Sequence, residues 1–146
     1  METENRIGLL KAALRRKDDA QALLEKERWR GAMYLAGYAI ECKLKAQLLD
    51  YYACETLSEL ADTLEKRVGE RPQLTTVRGH GLEYLFGFLP DGRERLRHSR
   101  DREQDFAVCN RWQSSWRYWS DAGRQAEAAQ FLQSVDRVFH WLSRNL

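Results

Sequence analysis

The 146-residue chain is poor in the residues that interrupt or cross-link a fold: it holds two prolines and three cysteines. Cys42, Cys54 and Cys109 are odd in number, widely spaced and without a Cys-x-x-Cys pair. That pattern excludes a disulfide framework or a zinc ribbon and fits reduced thiols. No run approaches the ~18 consecutive apolar residues of a membrane span, and the amino-terminal METENRIGLLKAALRRKDD has no long apolar core. Neither export nor insertion is indicated, so the expectation is a cytoplasmic protein with no membrane partner. Net charge is also scarce. Lys and Arg total 24 against 22 for Asp and Glu, giving +2, which is too close to balance to argue nucleic-acid binding from bulk charge. No alternating apolar pattern suggests a strand. A phosphate-cradling Gly-rich loop, a His-Glu-x-x-His, a nucleophile elbow and a calcium loop are all missing, so no metal or organic cofactor is implied.

What is present is helical periodicity. Trp29 to Leu49, WRGAMYLAGYAIECKLKAQLL, is apolar on nearly every side: Met33, Ala36, Ile40 and Leu44 share one face, and Leu35, Ala39, Cys42 and Ala46 the next. It reads as a central helix, buried by neighbours on more than one side. Gly37 costs about 1 kcal/mol of helix propensity relative to Ala, which points to a close approach by a neighbouring helix. Glu41 and Lys45 stand at i, i+4 in the favourable order.

Before the central helix, Ile7, Leu10, Ala13 and Leu14 mark a helix from about Glu4 to Arg15. Asp18 or Asp19 can cap a second segment, so one or two helices are expected, with Trp29 and Arg30 as the connection. Thr56, with Glu59 three residues on, is a capping-box signature for a helix carrying Leu57, Leu60, Ala61, Leu64 and Val68 and stopped by Gly69 and Pro72. HGLEYLFGFL starts a short helix closed by Pro90, Asp91 and Gly92. Arg93 to Arg111 is thinly apolar and highly charged, either a solvated helix face or a mobile ligand-binding arm. A tight aromatic cluster of Trp112, Trp116, Tyr118 and Trp119 follows. Ser120 or Asp121 then caps a long last helix with Ala128, Leu132, Val135, Val138, Phe139 and Leu142 inward, expected antiparallel to the central one. The length fits a single domain over 1–146. The fold class is all-α: an up-and-down bundle of four main helices with one or two short extra ones.

YLAGYAIECKLKA, HGLEYL at His80 to Leu85 and the W-x-x-S-W-R-Y run at Trp112 to Tyr118 together resemble the HEPN family of small helical domains, over roughly residues 18 to 142. The resemblance implies the same bundle, a homodimer built through the central or last helix and its exposed aromatics, and a bacterial toxin-antitoxin or phage-defence setting with a minimal nucleotidyltransferase as partner. The RNA-cutting branch of that family carries an Arg and, about four to six residues on, a His near the junction of the last two core helices. Metal-independent cleavage needs such a pair, since a base must take the 2′-hydroxyl proton while a cation steadies the phosphate. By spacing the match is Arg93 to His98, RERLRH, but Glu94 follows the Arg and the pair lies upstream of the junction. At the junction stand Trp116, Arg117 and Tyr118 with no His following, which looks like the Arg-Tyr form of the family, associated with nucleotide or partner contacts. The resemblance therefore implies a non-catalytic binding module, with a metal-independent endoribonuclease toxin using Arg93 and His98 across a dimer as the alternative. Between them these readings imply a nucleotide, an RNA or the partner protein as what the chain binds.

From the residues alone, Arg117 is a planar fork able to hold phosphate or carboxylate, and its aromatic neighbours, Trp116 and Tyr118 among them, can stack on a base. Equally, the aromatics can plug the bundle end while Arg117 pairs with Glu41. His80, between two glycines, can present an exposed imidazole or satisfy local backbone groups. Glu41, a carboxylate among apolar residues, is either an acid or base of raised pKa or a paired structural group. Arg97, Arg100, Arg102 and Arg111 can add a local basic rim, weakened by Asp101, Glu103 and Asp105.

Overall fold

A computed structural model describes residues 5–74 and 81–146. These form helices α1 (Arg6–Glu25), α2 (Trp29–Tyr51), α3 (Leu57–Val68), α4 (Leu82–Phe86), α5 (Gly92–Arg97), α6 (Arg100–Cys109) and α7 (Gln125–Asn145), with a 3-10 turn at Ser114–Tyr118. Among the described residues no strand occurs, only an isolated bridge between Asn5 and Thr56. The all-α bundle is thus observed, with α1, α2, α6 and α7 as its staves.

α2 is the central element, with 14 of its 23 residues buried. The inward stripes of the other helices enclose it: Leu9, Ala13 and Ala20 from α1, and Phe131, Val135, Val138 and Leu142 from α7. α1 is one unbroken helix, started by the Asn5 side chain accepting from Gly8 N at 2.7 Å. Asp18 and Asp19 cap nothing. They lie mid-helix on the solvent face, because no Gly or Pro breaks the segment and Ala20 continues the buried stripe. Trp29 and Arg30 are the first residues of α2, and the connection is Lys26 to Arg28, with Glu27 at φ 61°.

The direction of α7 differs from expectation. Arg30, at the start of α2, reaches Asp121 and Glu127 beside the start of α7, and Lys43 Nζ lies 5.2 Å from the Phe139 ring. The two helices therefore run parallel. α1 and α6 are the antiparallel neighbours: Arg6 meets Asp50 across α1 and α2, and Ser134 Oγ donates to Asp105 at 3.0 Å across α7 and α6. The expected antiparallel packing of α7 on α2 fails because α6 supplies the return stroke before α7 begins. The helix also starts later than Asp121, since that carboxylate is drawn off to Arg30 and Arg124 takes the cap position.

α3 begins as its sequence dictates. Thr56 Oγ1 accepts from Glu59 N at 3.2 Å, the Glu59 carboxylate accepts from Glu55 N at 2.9 Å, and left-handed Gly69 ends the helix. The charged run after Arg93 is helical, as α5 and α6, with Asp105 turned inward against Ser134, Arg102 and Arg137. Gly37 does mark a close approach, by a side chain instead of a helix: Trp112 lies on it, stacked 6.0 Å from Tyr34, and donates Nε1–H to Tyr34 O at 3.0 Å. No described helix is long and apolar enough to cross a membrane.

Candidate functional site: an aromatic ledge with an exposed arginine

The site grows from two tyrosines one helical turn apart. Tyr34 and Tyr38 leave α2 on the same side, their rings 6.4 Å apart and nearly parallel, and Trp112 extends the stack from the far end of α6. Gly37 lies within that turn, and the missing side chain is what lets the indole settle onto the helix. Beyond Trp112 the chain makes the 3-10 turn Ser114–Tyr118, which lifts Arg117 and Tyr118 into solvent.

A second aromatic layer fixes the base of the turn. Trp116 and Trp119 stack at 4.2 Å, and Trp116 packs 5.4 Å from Phe131 of α7. Arg30 covers the outer face of Trp119, its guanidinium 4.0 Å from the ring centroid. The same guanidinium holds Asp121 in a two-pronged pair, Nε at 3.1 Å and Nη2 at 2.8 Å, with Glu127 at 3.5 Å. The hydrogen bonds it donates to Asp121 raise the Arg30 pKa, and Arg30 in return holds the Asp121 carboxyl below its usual range. The turn is thereby tied to the starts of both α2 and α7.

Arg117 donates to the Tyr118 hydroxyl at 2.9 Å, with its guanidinium 4.8 Å from that ring. This hydrogen bond, with a smaller share from the Tyr34 hydroxyl, raises the Arg117 pKa further. Neither partner is a carboxylate, so the charge of Arg117 is not neutralised. Tyr118 is 74% exposed, the most open large hydrophobic side chain among the described residues. The reading in which Arg117 pairs with Glu41 inside the bundle does not hold. Glu41 is buried further along α2, with Lys45 Nζ 3.8 Å away, and burial pushes its pKa up against the opposing pull of Lys45. Burial likewise raises the Tyr38 pKa.

Of the residues singled out from sequence, Trp116, Arg117 and Tyr118 fall together, and Trp116 forms the half-buried footing under the other two. Glu41 lies elsewhere, as half of a structural ion pair. His80 lies outside the described residues. Arg93 is engaged: it pairs with Glu83 of α4, its guanidinium lies 5.5 Å from the Phe86 ring and 5.9 Å from Phe106, and the other Glu83 oxygen accepts from Asn110 Nδ2 at 2.9 Å. His98, the residue that ends α5, is exposed. A five-residue helical spacing turns the two side chains about 140° apart, so Arg93 faces α4 and α6 while His98 faces away. Sequence reasoning overlooked Tyr34, Tyr38 and the Arg30–Asp121 tie. The first two carry a legible signal in their i, i+4 spacing around Gly37, whereas nothing in sequence links residues 91 positions apart.

Chemically, this ledge offers a flat π surface for stacking and a bidentate donor fork beside it. Among the described residues no group of three His, Cys, Asp or Glu side chains is placed to hold a metal ion. Of the aromatics on α2 and α7, Tyr51 is exposed, Trp29, Tyr34 and Tyr38 are half-buried, and Phe131, Phe139 and Trp141 are buried in the bundle. Compared with models of protein families, with curated proteins and with solved structures, the chain matches none of them.

Proposed function

We propose that this chain is a HEPN-like, non-catalytic binding module that takes a nucleotide, or a nucleotide-bearing partner, at the Arg117–Tyr118 ledge. The observation that carries the proposal is an arginine left without a carboxylate, on a braced turn, beside an exposed tyrosine and a stacked Tyr34–Trp112 wall. A base would stack on the Tyr118 ring while Arg117 turns from the Tyr118 hydroxyl to a phosphate, exchanging a neutral acceptor for a charged one. The resemblance adds the setting: a bacterial toxin-antitoxin or phage-defence pair with a minimal nucleotidyltransferase, in which such a module presents or senses nucleotide. A metal-independent ribonuclease built on Arg93 and His98 draws less support, because Glu83 already occupies the Arg93 fork.

The test is fluorescence titration of the protein with AMP, ATP and a short RNA, reading quenching of the tryptophans. Loss of one charge-assisted contact of about 1.5–3 kcal/mol predicts roughly 10- to 150-fold weaker binding for Arg117→Ala with an unchanged circular dichroism spectrum. Equal affinity in parent and variant would remove this ledge as the site. RNA cleavage that disappears in His98→Ala would replace the module by the ribonuclease.

A further inference from the structure

A separate feature lies where α1 and α7 part above α2. A cavity of about 450 Å³ is floored by the buried Ala20, Ala36 and Val135 and walled by Leu24 and Leu132. A second, of about 270 Å³, continues it toward the start of α7, and the two share Leu24 and Ala129. Together they form one trough. Its depth comes from alanine, since α1, α2 and α7 each place a methyl group where a longer side chain would fill the space. The larger cavity alone is the size of a small-ligand site, within the usual range of about 300–1,000 Å³.

The charges on the rim are nearly all of one sign. Asp18 lines the first cavity, and Glu25 and Glu27 line the second. Among the described residues Asp18 and Glu27 form no ion pair, and Glu25 meets only the neutral amide of Gln21, at 3.5 Å. The one cation of the lining, Lys17, is already held by Asp136, with its ammonium 4.9 Å from the Phe139 ring centroid. Lys26 and Arg28 of the connecting turn stand outside the lining.

Asp18 and Glu25 are seven residues apart on α1, so they stand nearly in line with about 10 Å of helix rise between them. The walls along that interval, Leu24, Ala129 and Leu132, are apolar. A matching ligand carries a positive charge at each end and none in the middle. We propose that this trough binds a linear aliphatic dication, a chain of about eight methylenes with an ammonium at either end, which matches the rise between the carboxylates. One ammonium pairs with Asp18 and the other with Glu25, and the methylenes lie along Leu24, Ala129 and Leu132. The trough shares no lining residue with the Arg117–Tyr118 ledge, so either can fail alone.

The test is titration of the isotope-labelled full chain with diaminooctane, followed through its backbone amide NMR signals. Shifts should saturate and fall on residues 17–27 and 125–136. Asp18→Asn and Glu25→Gln should each weaken binding about two- to fivefold, the value of one exposed ion pair. Diaminobutane, too short to reach both carboxylates and with four fewer methylenes, should bind about tenfold more weakly or worse. Spermidine, which is about as long but sets a third ammonium over the apolar wall, should bind more weakly than diaminooctane despite its extra charge. Ala129→Leu should fill the trough and abolish binding. All three are partly or fully exposed positions, and circular dichroism should show each variant folded. Tighter binding of spermidine would reduce the trough to an acidic surface, and equal binding of uncharged octanediol would reduce it to an apolar one. Either result, or a folded Ala129→Leu chain that binds like the parent, would overturn the proposal.

Discussion

A β-carbon built on Gly37 would sit 2.0 Å from Cδ1 of Trp112 and within 2.5 Å of its indole nitrogen. The glycine is therefore a seat for a side chain 75 residues later in the chain, and the indole is doubly held because Nε1–H reaches Tyr34 O. Gly37→Ala should destabilise by about 1–3 kcal/mol from overpacking, against a helix-propensity gain of at most about 1 kcal/mol. Trp112→Ala alone should cost about 3–5 kcal/mol. In the Trp112→Ala background the Gly37→Ala change should turn neutral or favourable. Urea unfolding of the four chains measures the coupling, and additive effects would contradict the seat.

The tie between Arg30 and Asp121 predicts a pH signature. Arg30 depresses the Asp121 pKa, so the pair stabilises the fold above the unfolded aspartate value near pH ~4 and loses that contribution as pH falls through the folded value. Melting temperatures of the parent and Arg30→Ala should differ at neutral pH and converge in acid. Trp119 loses its cationic cover in the variant, so its fluorescence should shift too.

The buried pair of Glu41 and Lys45 works in the other direction. Burial raises the Glu41 pKa, so its contribution is most favourable below the unfolded glutamate value near pH ~4.3 and weakens as pH rises through the folded value. Glu41→Gln should remove that dependence but leave Lys45 without its counter-charge, at a cost of up to about 3 kcal/mol. Replacing both, by Leu and Met, should restore stability or raise it by about 1–4 kcal/mol. Chemical denaturation at two pH values separates the three cases.

Arg93 and His98 should separate in stability measurements. Arg93→Ala removes an ion pair to Glu83 and cover over Phe86 and Phe106, and should cost about 1 kcal/mol. His98→Ala, at an exposed helix end, should stay within about 0.5 kcal/mol of the parent. A similar loss for both would show that His98 has a structural partner.

Local chemistry was legible wherever one stretch of chain satisfied itself. The capping box of Thr56 and Glu59, the stop at Gly69 and the buried stripe of α7 are all encoded within a few residues of where they act. Asp18 and Asp19 misled for a physical reason: a carboxylate can cap a helix only if the backbone stops there, and the apolar stripe through Ala13 and Ala20 kept α1 going. Asp121 misled likewise, because a charge-assisted pair with Arg30 outcompeted the backbone N–H groups of a nearby helix start.

The sequence by itself determined that the protein is all-α and that the Trp29 stretch is its centre, because helical periodicity and burial on every side follow from the order of apolar residues alone. Only the tertiary structure decided which charges are free. Arg117, Arg93 and Arg30 are alike in sequence, yet one faces two tyrosine hydroxyls, one is held by Glu83 and one clamps Asp121. An arginine becomes a ligand site or a rivet according to the carboxylate that folding brings beside it, and that neighbour comes from a distant part of the chain.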